Sequence, residues 1–248
     1  MGRDLLSYGK PILVLGDPAQ LPPVKSAGFF TNQDPDVMLT EIHRQAEGNP
    51  IIRMATAVRE GRRLDYGEFG SSRVIRRGVL GDQEVLAASQ ILVGKNATRA
   101  AYNRRIRRMI GRAGDMPEVE GRLVCLKNDR SAGIFNGGIF KVTALLPKKS
   151  DALHVMFEVA SEDFPNRPPF EVKARRECFA GGLEDVDWRD LRGTQQFDYG
   201  YALTCHKAQD SQWDDVIVHD ESGTFRDDWR RWLYTAITRA SDRITVVV

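Results

Sequence analysis

The chain has 248 residues, of which 42% are hydrophobic and 28% charged, and a formal net charge of +2; this reads as an ordinary soluble globular protein of one large or two medium domains. No apolar run approaches the roughly 20 residues of a membrane span, and the start Met1-Gly2-Arg3-Asp4 leads into no signal-peptide pattern. Cys125, Cys178 and Cys205 stand too far apart for a disulfide framework or a zinc site, which suits a reducing cytoplasm.

Pro11–Leu15 is a short apolar run ending at Gly16-Asp17, and reads as a buried strand of a parallel sheet. Gln20-Leu21-Pro22-Pro23 must then be loop, because two prolines stop both helix and ladder. Asn49-Pro50 opens a helix through about Arg59, with Ile51, Met54, Ala55 and Val58 on one face and Gly61 past its end. Gln90–Val93 reads as a second buried strand. A helix over about Thr98–Ile110 follows it, with Tyr102, Ile106, Met109 and Ile110 as its apolar stripe.

Arg122–Lys127, Ile139–Leu146 and Leu153–Val159 are short β-like runs with turns such as Asn136-Gly137-Gly138 between them. No helical pattern intervenes before about Asp185, so this stretch predicts a small antiparallel barrel, with Pro165, Pro168 and Pro169 stiffening one loop. Strands are expected again at Tyr199–Leu203, Asp215–Val218 and Arg243–Val248. Alternating strands and helices predict an α/β sheet with right-handed crossovers. Asn96–Arg130 holds nine Arg/Lys against four Asp/Glu, which fits either a nucleic-acid groove or a solvated helix face.

Two segments near the C-terminus offer hydroxyl, amide and cationic groups together: Leu203-Thr204-Cys205-His206-Lys207-Ala208-Gln209 and Leu233-Tyr234-Thr235-Ala236-Ile237-Thr238-Arg239-Ala240. Both are expected at the starts of short helices, where turns present such groups to phosphate. Upstream, Gly16-Asp17-Pro18-Ala19-Gln20-Leu21-Pro22-Pro23 follows an expected strand, on the side where parallel sheets bind ligands. Leu39-Thr40-Glu41-Ile42-His43-Arg44-Gln45 contains a guanidinium, a planar and permanently charged partner for phosphate. Asn96-Ala97-Thr98-Arg99 opens a helix that Thr98 could cap.

These segments resemble motifs III (16–23), IV (39–45), V (203–212) and VI (233–240) of superfamily 1 DNA helicases, in the RecD/Dda-like branch, whose members move 5′ to 3′ along single-stranded DNA. The resemblance implies an α/β fold: a parallel-sheet RecA-like motor domain with an inserted SH3-like β-barrel, preceded by the tail of a first RecA-like domain. It places that tail at 1–55, the second motor domain at 56–112 and 195–248, and the barrel at 113–194. It implies ATP and magnesium as cofactors and single-stranded DNA as partner.

Arg239, Arg44 and Gln20 take catalytic roles on this resemblance, with Arg239 as the arginine finger. Asp17, Gln20, Arg44, Gln209, Gln212 and Arg239 take nucleotide-binding roles. Asn96, Thr98, Arg99, Asn128, Asn136, Thr204, His206 and Lys207 take DNA-binding roles, through phosphates that position rather than read sequence. No metal ligand is carried over.

Two departures stand out. The chain contains no Gly-x-x-x-x-Gly-Lys-Ser/Thr phosphate loop, and lacks the Asp-Glu pair that the family uses for magnesium. Asp210 replaces a family glycine, where positive φ is expected and a carboxylate would repel a phosphate. The chain is therefore expected to be the C-terminal portion of a helicase that cannot hydrolyse ATP alone, with an N-terminal motor segment supplied by another chain as one way to complete it. A non-enzymatic single-strand-binding module and an inactive relic of a truncated gene remain as alternatives.

Overall fold

The computed structural model describes residues 2–22, 29–30, 36–38, 48–130 and 132–248. The chain forms two compact units, Met1–Gly94 with Thr204–Val248, and Lys95–Leu203. The three cysteines are free and buried, and among the described residues no helix is long and apolar enough to cross a membrane.

The first unit opens with helix α1 (Gly2–Ser7), which buries no residue. The strand expected over Pro11–Leu15 does not form. The segment has no regular structure, and Ile12, Leu13, Val14 and Leu15 are all exposed, Leu13 and Leu15 at 84% each. An apolar run becomes a strand only where a neighbouring backbone takes its N–H and C=O groups, and no ladder partner lies beside it among the described residues.

Helix α2 (Pro50–Arg59) forms as expected. Asn49 caps it, its side chain accepting the Ile51 N–H at 2.8 Å, and the buried face is Ile51, Met54, Ala55 and Val58. A hairpin follows, β1 (Gly67–Phe69) and β2 (Ser72–Ile75), then helix α3 (Asp82–Ala87) and strand β3 (Gln90–Val93). After the second unit come β10 (Trp213–His219), helix α6 (Trp229–Ile237) and β11 (Ala240–Val247). With β9 (Ala202–Thr204), they make a six-stranded sheet ordered β1-β2-β11-β10-β3-β9. β2, β11, β10 and β3 run parallel, with Val216 opposite both Ile244 and Gln90. Strands covered on both faces read as continuous apolar runs, and Ile91, Leu92, Val93, Val216, Val218, Ile244 and Val246 are all buried. Helix α6 covers one face and packs against α2.

The second unit begins with helix α4 (Asn96–Met109). Its buried residues are Asn103, Ile106 and Arg107, whereas Ile110, expected in the apolar stripe, is exposed. Polar contacts decide this face. The Asn103 amide donates to the Tyr199 and Ala202 carbonyls at 3.0 and 3.2 Å and accepts the Ala202 N–H at 2.9 Å. The Arg107 guanidinium stands 3.9 Å from the Tyr199 ring centroid, a cation–π contact.

Strands β4 (Arg122–Cys125), β5 (Ile139–Leu145), β6 (His154–Ser161), β7 (Phe170–Arg175) and β8 (Phe197–Tyr199) form one antiparallel sheet ordered β7-β6-β5-β4-β8. Phe140, Phe157 and Phe197 centre its core, with edge-to-face ring pairs at 5.5 and 6.2 Å. Helix α5 (Glu177–Ala180) interrupts the stretch in which no helix was expected before Asp185. The two ends of the sheet meet at an isolated parallel bridge between Ala174 and Gln195. There the Gln195 N–H donates to the Lys173 carbonyl at 2.8 Å and the Lys173 N–H donates to the Gln195 side-chain oxygen at 3.0 Å. The Gln195 amide also donates to Asp129 at 2.9 Å.

Helix α2 runs unbroken through the expected boundary at 55/56. The expected boundaries at 112/113 and 194/195 fall inside the second compact unit, where Asn103 and Arg107 fasten α4 to residues 199–202.

Candidate nucleotide and nucleic-acid site

The loop after the 11–15 run is built by Asp17. Its carboxylate accepts the Ala19 N–H at 2.9 Å and the Gln20 amide at 3.4 Å, while the Gln20 N–H donates to the Asp17 carbonyl at 3.1 Å. This closed turn directs Leu21 inward, and Leu21 is buried. The Leu21 N–H donates to the Thr235 hydroxyl at 2.8 Å, and the Leu21 carbonyl accepts from the Gln209 amide at 2.8 Å. The Tyr234 hydroxyl donates to Asp17 at 2.7 Å. Burial, aided by this bond, pushes the Tyr234 phenol up to about 12, so it stays a donor at neutral pH. Three segments separated by up to 217 residues are thus joined by direct hydrogen bonds.

Arg239 lies beside this junction, just past the C-terminus of α6. The expectation that 233–240 starts a helix is corrected, since residues 233–237 form the last part of α6. The Arg239 guanidinium donates to the Thr235 carbonyl, the Ser211 carbonyl and the Thr238 hydroxyl, each at 3.2 Å. Three of its five N–H donors are therefore engaged. Segment 203–212 also departs from the expected helix, forming consecutive turns after β9. It is fastened to α6 by the Cys205 thiol, which donates to the Trp232 carbonyl at 3.6 Å. Burial pushes that thiol up to about 12, so Cys205 is a packing residue and not a nucleophile. Asp210 has φ of 69°, so the positive φ expected there is present. Gln212 is exposed. Arg44 and the rest of 39–47 lie outside the described residues.

In the same unit, Thr204 is buried while His206 and Lys207 are partly exposed. The His206 ring lies 5.7 Å from Phe225, which stacks on Trp232 at 5.5 Å. Burial lowers the His206 pKa, with Asp228 opposing, so the imidazole is neutral at pH 7. Gly94 is required where it stands: a Cβ there would come within 2.9 Å of Glu221 and of Phe225. The other expected DNA residues belong to the second unit. Lys95, not Thr98, is the N-cap of α4, and no side chain closes that cap. Asn96 is exposed at its first turn. Arg99 is paired with Asp198. The Asn128 side chain accepts the Asn136 N–H at 2.7 Å, which closes the turn, and both residues are exposed.

A cleft beside Tyr234 and Ala19 carries Arg59, Arg230 and Arg231 with Asp227 and Asp228. Sequence reasoning missed these arginines, and missed Thr235 as the anchor of Leu21. The Thr235–Arg239 separation, one helical turn on a single face, is the signal that could have found the latter.

Residues 199–247 match the UvrD-like helicase C-terminal domain. Over 272 aligned positions, covering 95% of this chain and 32% of the relative, the sequence is 29% identical to the ATP-dependent RecD2 DNA helicase of Deinococcus radiodurans. In these matches the chain is similar to the C-terminal portion of superfamily 1 helicases. The crystal structure of the Pif1 helicase from Candida albicans superposes with a TM-score of 0.50 at 17% identity, covering 84% of this chain and 55% of that one. A Bacteroides Pif1 helicase in complex with ADP-AlF3 and ssDNA gives 0.46 at 14% identity, covering 84% and 51%. The chain thus spans about a third of the RecD2 length and about half of each Pif1 chain.

The site fits a nucleotide in part. Among the described residues, three of the five Arg239 donors have partners, which leaves two for a terminal phosphate. The Asp17 carboxylate is committed to three hydrogen bonds and is not placed as a magnesium ligand. Among the described residues no three His, Cys, Asp or Glu side chains converge on one point.

Proposed function

We propose that this chain works as the C-terminal part of an ATP-dependent DNA helicase that moves 5′ to 3′ on single-stranded DNA. The supporting observation is the junction at Leu21. One short loop is hydrogen-bonded to the Gln209 segment and to the Thr235–Arg239 turn. A strain on Arg239 or Gln209 therefore reaches residues 17–21 through two hydrogen bonds, the arrangement a motor needs to couple a nucleotide site to a moving neighbour.

In this reading Arg239, with Arg44 and Gln20, stabilises charge developing on the terminal phosphate. Asp17, Gln209 and Gln212 hold or orient the nucleotide. ATP with magnesium supplies the free energy. Thr204, His206 and Lys207 bind strand phosphates, joined by Asn96, Thr98, Arg99, Asn128 and Asn136. Arg99 must leave Asp198 to take part. Strands β4 to β7 of the antiparallel sheet serve as the small SH3-like barrel inserted at 113–194, while β8 belongs to the motor segment that follows; the motor segments are 56–112 and 195–248, with 1–55 closing a first motor domain.

The chain alone lacks a phosphate-loop sequence and is expected to show no ATPase above background, with or without single strands. Fused behind a phosphate-loop motor half from a RecD-like helicase, it should hydrolyse ATP. Arg239→Ala should then lower kcat by about 10³–10⁵ with nucleotide affinity within about tenfold. Turnover within threefold of the parent in that variant would sink the arginine-finger role. A second reading, a non-enzymatic single-strand-binding module, draws on the same missing loop; it predicts strand affinity that the fusion leaves insensitive to nucleotide.

A further inference from the structure

A cleft that shares only Leu233 with the helicase-like segments lies in the first unit. It sits at the C-terminal ends of the adjacent parallel strands β10 and β11, where open α/β sheets receive ligands. It is lined by Leu64, Leu233 and Trp229, with the exposed Arg63 and Arg226 beside them. Neither of these guanidiniums has a hydrogen-bond or ion-pair partner among the described residues. One carboxylate lines the cleft, Asp220, and it accepts the Ser222 N–H at 2.8 Å.

Arg226 is held in an unfavourable backbone conformation, φ 49° and ψ −113°. A non-glycine residue persists there only when its surroundings enforce it, and such residues gather at binding sites. The enforcement is visible one residue earlier. Phe225 is wedged between His206 and Trp232 and abuts Gly94. The backbone therefore reverses sharply after Phe225 and delivers Arg226 to the cleft.

We propose that this cleft takes one nucleotide of a single DNA strand, its base against Trp229 and its phosphate between Arg63 and Arg226. The inference rests on the reading that the chain binds single strands, and extends the footprint beyond Thr204, His206 and Lys207. Two observations select this occupant. Two guanidiniums without partners among the described residues, lining one cleft with a tryptophan, complement a phosphate joined to a planar base. The cleft is also linked to the candidate strand-binding segment, because Phe225, the residue before Arg226, packs against His206.

The test uses the full 248-residue chain and a fluorescein-labelled oligodeoxythymidylate at low salt, read by anisotropy and by tryptophan quenching. Trp229→Leu should weaken binding by roughly tenfold or more, the scale of one lost stacking contact, and remove part of the quench. Arg63→Ala should weaken it severalfold and flatten the salt dependence by about one phosphate contact. Arg226→Gly separates ligand binding from folding. Glycine accepts φ 49° without strain, so the melting temperature should rise by about 2–4 °C while affinity falls severalfold.

Parent-like affinity in all three variants overturns the cleft but leaves the helicase reading standing. A fall in both melting temperature and affinity for Arg226→Gly also overturns it, because Arg226 would then be structural. If free dTMP abolishes the quench at the oligonucleotide's own concentration, the cleft is a mononucleotide site and the strand proposal fails. A parent chain that binds no single strand removes both readings.

Discussion

Ile12-Leu13-Val14 and Ile91-Leu92-Val93 are the same tripeptide, and both lead within two residues to a glycine. The second is the strand β3, at most 1% exposed, with Ile91 opposite Ile217 and Leu92 opposite Val218. The first is irregular, with exposures of 40, 84 and 44%. Intrinsic preference is identical, so the difference comes from neighbours. β3 has β10 and β9 on its two sides, which satisfy its backbone groups and cover its side chains. Among the described residues the 12–14 run has neither. What holds residues 11–22 to the unit is the loop that follows, through Leu21, and not the apolar run itself.

The sharpest way to break this comparison is to truncate the same residue in both places. Leu92→Ala should cost about 2–5 kcal/mol in urea unfolding, the usual range for a fully buried leucine. Leu13→Ala should stay within about 0.5 kcal/mol, as surface changes do. Equal costs would mean that the 11–15 run is packed in solution and the contrast is false.

A smaller effect is expected where the first region is anchored. Thr235→Val keeps the side chain's shape and removes the acceptor for the buried Leu21 N–H, at a cost of about 1–3 kcal/mol. Hydrogen exchange should speed up over residues 17–22 and remain slow over 90–93. Parallel loss of protection in both segments would show that the loop is integral to the sheet rather than hung from it.

The smallest effect belongs to the turn after β9, the strand beside β3. Asp210→Gly relieves a side chain at φ 69° and should raise stability by up to about 1 kcal/mol. In the fused enzyme it should also raise turnover, by removing a carboxylate near the expected phosphate. A variant with unchanged stability and unchanged kcat would show that Asp210 is accommodated and not damaging.

The features legible in the sequence were those fixed by local pattern. The α2 face was readable because its four apolar residues keep helical spacing and Asn49-Pro50 marks the start. β3 and β10 were readable because continuously apolar strands suit a parallel sheet. Pattern reading failed where a polar group is buried for a partner. Asn103 and Arg107 face inward on α4 because residues 199–202 offer carbonyls and a ring, and Met116 and Glu118 offer further acceptors to Arg107. It failed again at β1–β2, where Gly67, Gly70 and Ser71-Ser72 hide a hairpin without alternation. At the site, the resemblance supplied Gln209, Arg239 and Asp17, which the structure brings to one junction. The bonds that make the junction span more than 180 residues, and no local spacing encodes them. Arg226 was invisible for a different reason: its signature is a backbone angle, and angles leave no mark in composition.

The glutamine at position 195 has a consequence for assembly. An open five-stranded sheet has two bare margins, and a bare margin is a template on which a second molecule can lay a strand. At the outer strand β7, the side-chain oxygen of Gln195 accepts the Lys173 N–H as a neighbouring strand's carbonyl would, while its own backbone N–H returns a bond to Lys173. The margin is thereby occupied by the chain's own polypeptide at the point where the sheet's ends meet. Because its amide also grips Asp129, one side chain ties three sequence-distant segments. That stretch of the margin is therefore closed to a strand from a second molecule.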